Sequence, residues 1–331
     1  MPSPFKISPY KLPAVTRKHD GSPRRVGFEL EFSGLTLEET AAALQASLGG
    51  ELEMKSAAEQ VLHVERLGDF GIELDWSYLK RKAEEAEANG GSDEWLEMLS
   101  QAAAMLVPVE VVCPPVPITE LDCLETFVAA LREAGAVGTE ESLLAAYGVH
   151  INIEIPRLDA ATLLAYLKAF AILQWWLVEA HDVDLTRRIS PYIDLYGEAY
   201  LHLLLSKRTA TMAEIIDDYL AYNASRNRAL DLLPLLAEVD EKRVRSIVDD
   251  PRVKARPTFH YRMPNCHIER LGWSLALSWN RWCVVEDLAQ RPDALQELSA
   301  AFLDAERPLL GVSRSQWVEF VGRWLEDRKL A

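Results

Sequence analysis

Four short segments of this chain alternate apolar and polar residues, and each collects acidic, amide or imidazole groups on one face. The cleanest is Gly148 to Pro156, GVHINIEIP, in which Val149, Ile151, Ile153 and Ile155 form one face and His150, Asn152 and Glu154 the other. Arg24 to Phe32, RRVGFELEF, puts Val26, Phe28, Leu30 and Phe32 opposite Gly27, Glu29 and Glu31. Gly71 to Trp76 puts Glu73 and Asp75 opposite Ile72, Leu74 and Trp76, and PVEVVC at Pro108 to Cys113 carries Glu110 before the stop at Pro114 and Pro115. Two carboxylates at i and i+2 of a strand lie about 7 Å apart and repel by roughly 1 kcal/mol even in partly wet surroundings. One such pair is usually the solvated face of an edge strand. Its recurrence predicts a single α+β sheet, antiparallel or mixed, with helices on the apolar side and a cation-binding site on the polar side.

Composition narrows the function. A formal net charge of -16 disfavours a nucleic-acid partner, since neutralising phosphates needs a basic surface. Cys113, Cys123, Cys266 and Cys283 have no C-x-x-C spacing and follow no secretory signal, so free thiols and a cytoplasmic location are expected. The apolar run Leu163 to Ala180 is interrupted by Lys168, Gln174 and Glu179 and reads as a buried core helix, not a membrane span. No P-loop, dinucleotide fingerprint, H-E-x-x-H or G-x-S-x-G is present, so an active site would be assembled from separated strands.

Between the strands the chain reads as helical. Thr36 with Glu39 and Thr211 with Glu214 make capping boxes, and Thr119 with Asp122 marks a third helix start ahead of Gly135. Exposed helices are expected at 79–87 and 93–106, further helices at 227–238 and 240–249, and three more at 273–289, 293–306 and 313–329. Arg252 to Arg270, RVKARPTFHYRMPNCHIER, predicts a hairpin turning at Met263-Pro264-Asn265, with His260 beside Arg262 on its first strand and His267 beside Glu269 on its second. In an acidic chain this basic stretch is either a set of surface ion pairs or a phosphate clamp, for which arginine geometry is suited.

An acidic cluster facing arginines suits a hard divalent cation carrying a phosphorylated substrate. RRVGFELEF, GIELD, VEVVCPP, GVHINIE, and RPTFHYR with HIER, in that order over about residues 24–290, resemble the putative amidoligase family, carboxylate-amine ligases similar to glutamine synthetase and glutamate-cysteine ligase. The resemblance implies a glutamine-synthetase-like curved antiparallel sheet binding ATP and Mg²⁺ (or Mn²⁺). It also implies metal ligation by Glu29, Glu31, Glu110, His150 and Glu269. Nucleotide contacts would come from His150, Asn152, Arg256, His260 and Arg262, with Arg262 also acting on the transferring phosphoryl group; the face and position of Glu73 and Asp75, not the resemblance, place one of them on the amine side. Cys113 stands where the family's strand usually has Ser, and the late region lacks a tidy R-x-E-x-R strand.

The implied reaction joins a small-molecule or peptide carboxylate to an amine through an acyl phosphate, with a companion glutamine amidotransferase as an implied partner. The corresponding organisation is a flexible arm at 1–23, an amidoligase-like catalytic domain at 24–290 with a helical middle section at about 159–250, and C-terminal helices at 291–331 packed on the same domain. Two other readings stay open from the residues alone: a two-metal hydrolase, and a non-catalytic protein that keeps the fold and binds a partner.

Overall fold

The computed structural model describes residues 8–74, 108–139, 147–189, 193–307 and 310–331. Its strands are β1 (Arg25–Phe32), β2 (Glu51–Ser56), β3 (Glu59–Val64), β4 (Gly68–Leu74), β5 (Val109–Val112), β6 (Val116–Pro117), β7 (Val149–Glu154), β8 (Leu230–Asp231) and β9 (Thr258–Tyr261). They form one sheet in the order β2-β3-β4-β5-β1-β7-β9-β8, with β6 paired to the start of β1. Each of these pairings is antiparallel. The chain is thus α+β around an open antiparallel sheet. The exposed helices expected at 79–87 and 93–106, together with Asp75, lie outside the described residues.

β1 sits centrally because its alternation satisfies both faces at once. Val26, Phe28, Leu30 and Phe32 are fully buried, while Glu29 and Glu31 project from the opposite face. On the apolar face, helix Leu37–Leu48 begins at the expected capping box, in which Thr36 Oγ1 accepts from Glu39 N–H and Glu39 Oε2 from Thr36 N–H. Helix Glu125–Ala134 packs against it and brings Phe127 edge-on to Phe70 of β4. Helix Ala160–Ala180 stacks Tyr166 on Phe259 and sets Phe170 against Tyr261 of β9, and Trp282 of helix Leu275–Ala289 meets the same two β9 residues. Helices Pro292–Asp304 and Arg314–Asp327 pack outside Ala160–Ala180.

Among the described residues Ala160–Ala180 is the one helix long and apolar enough to cross a membrane by composition, yet 78% of its most apolar window is buried inside the fold. Residues 8–11 lie along helix Leu275–Ala289, where Lys11 N–H donates to Asn280 Oδ1 and Lys11 O accepts from Trp279 Nε1.

Arg24, immediately before β1, shares the parity of Val26 and Phe28 and therefore enters the apolar face. It is fully buried and bidentate to Glu286, at 2.8 and 3.0 Å, and it also donates to the carbonyls of Glu154 and Val15.

Several sequence expectations are corrected. The hairpin at 252–270 has only its first strand, because β7 and β8 already occupy both edges of β9. Pro264 also lacks an N–H for a returning ladder, and Asn265 makes only an isolated bridge to Gly148. The helix expected from Asn227 begins at Leu233; a Pro at position 234 is tolerated in a first turn but would clash with the carbonyl four residues back in a longer helix. The residues ahead of it form β8. The break expected between this helix and the next is present at Asp240, whose backbone is non-helical (φ -149°, ψ 77°) and whose Oδ1 accepts from Arg243 N–H at the start of the second helix. Thr119 caps no α-helix: Ile118–Leu124 is a 3-10 segment irregular at Glu120, and the α-helix starts after Leu124 with no side-chain cap.

Candidate active site

Strand register assembles the polar face in rows. Glu73 of β4 pairs with Glu110 of β5, which pairs with Glu31 of β1. One row along, Glu29 pairs with His150 of β7; in the next, Asn152 of β7 pairs with His260 of β9, which pairs with Asp231 of β8. Residues more than 100 positions apart in sequence, Glu29 and His150 or Asn152 and His260, are thereby brought to adjacent strands, about 4.8 Å from one another.

Glu29 is the centre of this face. Its Oε1 accepts from Asn152 Nδ2 at 2.7 Å, and its Oε2 lies 2.9 Å from His150 Nδ1 and 3.5 Å from His260 Nε2. Burial would raise the Glu29 carboxyl, but the neighbouring His260 and His150 outweigh it and hold it well below the ordinary carboxylate range. His150 turns its other nitrogen, Nε2, toward Glu31 Oε1 at 3.8 Å, and Glu31 Oε2 accepts from Gly148 N–H at 3.0 Å. His260 is held well below its ordinary pKa, first by burial and then by the Arg262 guanidinium. Its Nε2 faces Glu29 and its Nδ1 lies 3.9 Å from Asp231 Oδ2. A zigzag of alternating carboxylates and imidazoles, Asp231, His260, Glu29, His150 and Glu31, therefore crosses three pairing steps of the sheet.

Two sets of side chains place donor atoms within 4.8 Å of one another: Glu29 with His150 and His260, and Glu31 with Glu110 and His150. His150 belongs to both. Neither His260 nitrogen and not Asp231 Oδ2 has a hydrogen-bond partner, although all three atoms are buried. Polar atoms left this way are costly, and a cation beside His260 would satisfy its Nε2. The carboxylate-rich set fits Mg²⁺ or Mn²⁺, whereas the set with two imidazoles suits a metal that accepts nitrogen ligands.

The basic groups lie at the β8–β9 end. Arg256 donates to Asn152 Oδ1 at 2.8 Å and to Thr258 Oγ1 at 3.2 Å, which ties it to the residue that also holds Glu29. Arg262 follows His260 with the same parity, and its Nε is buried without a hydrogen-bond partner. Of the residues expected from sequence, the fold brings together Glu29, Glu31, Glu110, His150, Asn152, Arg256, His260 and Arg262. Glu73 extends the acidic row to an exposed position, and Glu269 stands apart from both donor sets, its Oε2 accepting from Gly138 N–H at 3.1 Å.

Three residues were not anticipated at the site. Asp231 was hidden in a stretch read as helix. Arg226 lies close enough to Arg262 that, after burial, their repulsion lowers its pKa. Arg187 is buried behind Gly148 and donates to the carbonyls of Arg262, Met263 and Pro264, fixing the chain that leaves β9. A Cβ on Gly148 would come within 2.3 Å of that guanidinium, which accounts for glycine at the entrance to β7.

Asp231 makes a pH prediction. Burial pushes its carboxyl up to about 6, against the pull of Arg262. A carboxyl raised on folding favours the folded state below its unfolded pKa of about 3.9, and that contribution is lost as pH rises through the folded value. Wild type should therefore lose stability relative to Asp231→Asn between about pH 4 and pH 6, read by urea titration at the two ends. A difference that is flat or rising over the interval would show that the carboxyl is not raised.

A family model described as a putative amidoligase enzyme matches residues 22–284. No curated protein and no solved structure matches.

Proposed function

The chain belongs to the putative amidoligase family, a family of ligase type, and from that premise we propose that it is an ATP- and Mg²⁺-dependent carbon-nitrogen ligase that joins a carboxylate to an amine through an acyl phosphate. The observation that carries the reading is the pair of donor sets sharing His150, set beside Arg256 and Arg262 on one sheet face. An acidic antiparallel sheet backed by helices is also what a glutamine-synthetase-like catalytic domain requires.

On this reading Glu29, Glu31, Glu110 and His150, with His260 alongside, hold the divalent cation, whose chemistry is to neutralise charge on the phosphates. Arg256 and Arg262 hold the nucleotide phosphates, and Asn152 fixes both Glu29 and Arg256 through its two amide ends. A substrate carboxylate oxygen attacks the γ-phosphorus, forming a C–O–P linkage as the bond to the β-phosphate oxygen breaks and ADP leaves. Arg262 stabilises the charge on the moving phosphoryl group. The amine nitrogen then attacks the acyl carbon, phosphate departs, and Glu73, at the exposed end of the acidic row, takes the ammonium proton, with Asp75 two residues on as the alternative base. The substrates are a small-molecule or peptide carboxylate and an amine, the latter drawn free or from an amidotransferase partner.

Thermal unfolding with Mg²⁺, with a non-hydrolysable ATP analogue, and with both tests the reading without a known substrate. Saturation at about a hundred times the dissociation constant stabilises the folded state by roughly 2.7 kcal/mol, and the expected shift requires both ligands. A shift with Mg²⁺ alone would instead favour a two-metal hydrolase, for which the adjacent donor sets are also suited. No shift with any combination would remove the ligase reading.

A further inference from the structure

On the far side of the sheet from Glu29, outside the helix layer, a groove of about 670 Å³ lies between helix Ala160–Ala180, the segment 205–210 and helix Pro292–Asp304. Leu164, Ala165, Leu205, Leu295 and Leu303 give it apolar walls. Its charged lining residues are all cations, Lys168, Lys207 and Arg208. Lys207 is satisfied by Asp218 at 2.8 Å. Lys168 is not: it is 9% exposed on the most apolar helix of the fold, and its ammonium donates to the carbonyl of Lys207 with no carboxylate in ion-pair range among the described residues. Facing helix Pro292–Asp304 contributes Ser299, 4% exposed, whose Oγ is buried without any hydrogen-bond partner.

An ammonium buried without a counter-ion is costly, and a Met or Leu at position 168 would avoid that cost. Burial accordingly lowers the Lys168 pKa. A hydroxyl left unpaired in the same groove adds a second unmet demand.

We propose that this groove is a binding site for an alkyl monocarboxylate, with the carboxylate taken by Lys168 Nζ and Ser299 Oγ and the alkyl chain laid along the leucine walls. Its volume falls in the range of small-molecule pockets, which combine apolar lining with a few placed polar groups. The site is separate from the acidic sheet face, and its occupancy depends on neither ATP nor a divalent cation.

The test is calorimetric titration of the full chain with octanoate, 1-octanol and acetate, in the absence of nucleotide and metal. Octanoate is expected to bind one molecule per chain, with acetate and octanol each at least tenfold weaker, because one lacks the chain and the other the charge. Lys168→Met should weaken octanoate at least tenfold while leaving octanol unchanged, with folding checked by circular dichroism. Ala161→Phe, at the exposed rim, narrows the groove and should reduce octanoate binding even if Lys168→Met fails to fold. Octanoate that does not bind wild type, that binds Lys168→Met as tightly as wild type, or that is matched by octanol overturns the proposal.

Discussion

Glu29→Gln is expected to lower ATP-dependent turnover by at least about a hundredfold, a loss in line with the removal of groups that bind or orient a catalytic metal, while the chain stays folded. Glutamine keeps the shape of the side chain. Its carbonyl can still accept from Asn152 Nδ2, and its amide N–H can donate to His150 Nδ1 in the tautomer that carries the ring proton on Nε2. What disappears is the negative charge at the point where two imidazoles and an amide converge. The charged hydrogen bonds exchanged for neutral ones contribute roughly 1 to 2 kcal/mol each, so a well-populated native state should survive. The joint effect of Mg²⁺ and the ATP analogue on thermal unfolding should vanish with turnover, and Glu29→Asp should recover part of both. Turnover kept within about threefold of wild type would remove Glu29 from the site. Loss of turnover with an unfolded circular dichroism spectrum would make it a folding residue instead.

The centre of this site was legible in sequence because strand parity does two things at once. In β1 and β7 the apolar residues at alternate positions had to be buried together, and that requirement placed Glu29, Glu31, His150 and Asn152 on the opposite face without further information. His260 and Arg262 followed from the same parity in β9. Legibility ended where parity had too few residues or too little apolar content. β8 is two residues long, so Asp231 could not announce itself, although Pro234 marked the true helix start nearby. β2, with the sequence ELEMKS, alternates only Leu52 and Met54 with charged residues and is exposed along its whole length, so two apolar positions on an edge strand are all the signal it offers. Arg187 acts on backbone carbonyls, which carry no sequence signal, and its neighbour Arg188, 34% exposed, gives no hint which of the two turns inward. Arg24 follows a proline-rich arm, and the same parity that orders β1 places it among the phenylalanines and valines of the apolar face.

That position yields the largest stability prediction. Arg24→Met should destabilise the chain by about 3 to 5 kcal/mol, the range found when one partner of a buried ion pair is removed. The methionine fills much of the arginine stem's volume, but the Glu286 carboxylate, 1% exposed, keeps only the Tyr166 hydroxyl and the Trp282 indole N–H as donors. The carbonyls of Glu154 and Val15 lose their guanidinium donors as well. The guanidinium's own partners belong to the end of β7, the N-terminal segment and helix Leu275–Ala289, so it ties the entry of β1 to three parts of the fold, and Tyr166 joins helix Ala160–Ala180 to them through Glu286. Because β1 also carries Glu29 and Glu31, the same contact helps hold the acidic pair in register with His150. The double variant Arg24→Met/Glu286→Leu removes both charges, and its cost should be smaller than the sum of the two single changes by more than about 1 kcal/mol, as expected for groups in direct contact. Urea titration of the four proteins gives the comparison, with an unchanged slope showing that the unfolded reference is the same. A cost below about 1 kcal/mol for Arg24→Met, which is the range of a surface ion pair, or strict additivity in the double variant, would mean that Arg24 and Glu286 do not form the buried pair that organises this end of the sheet.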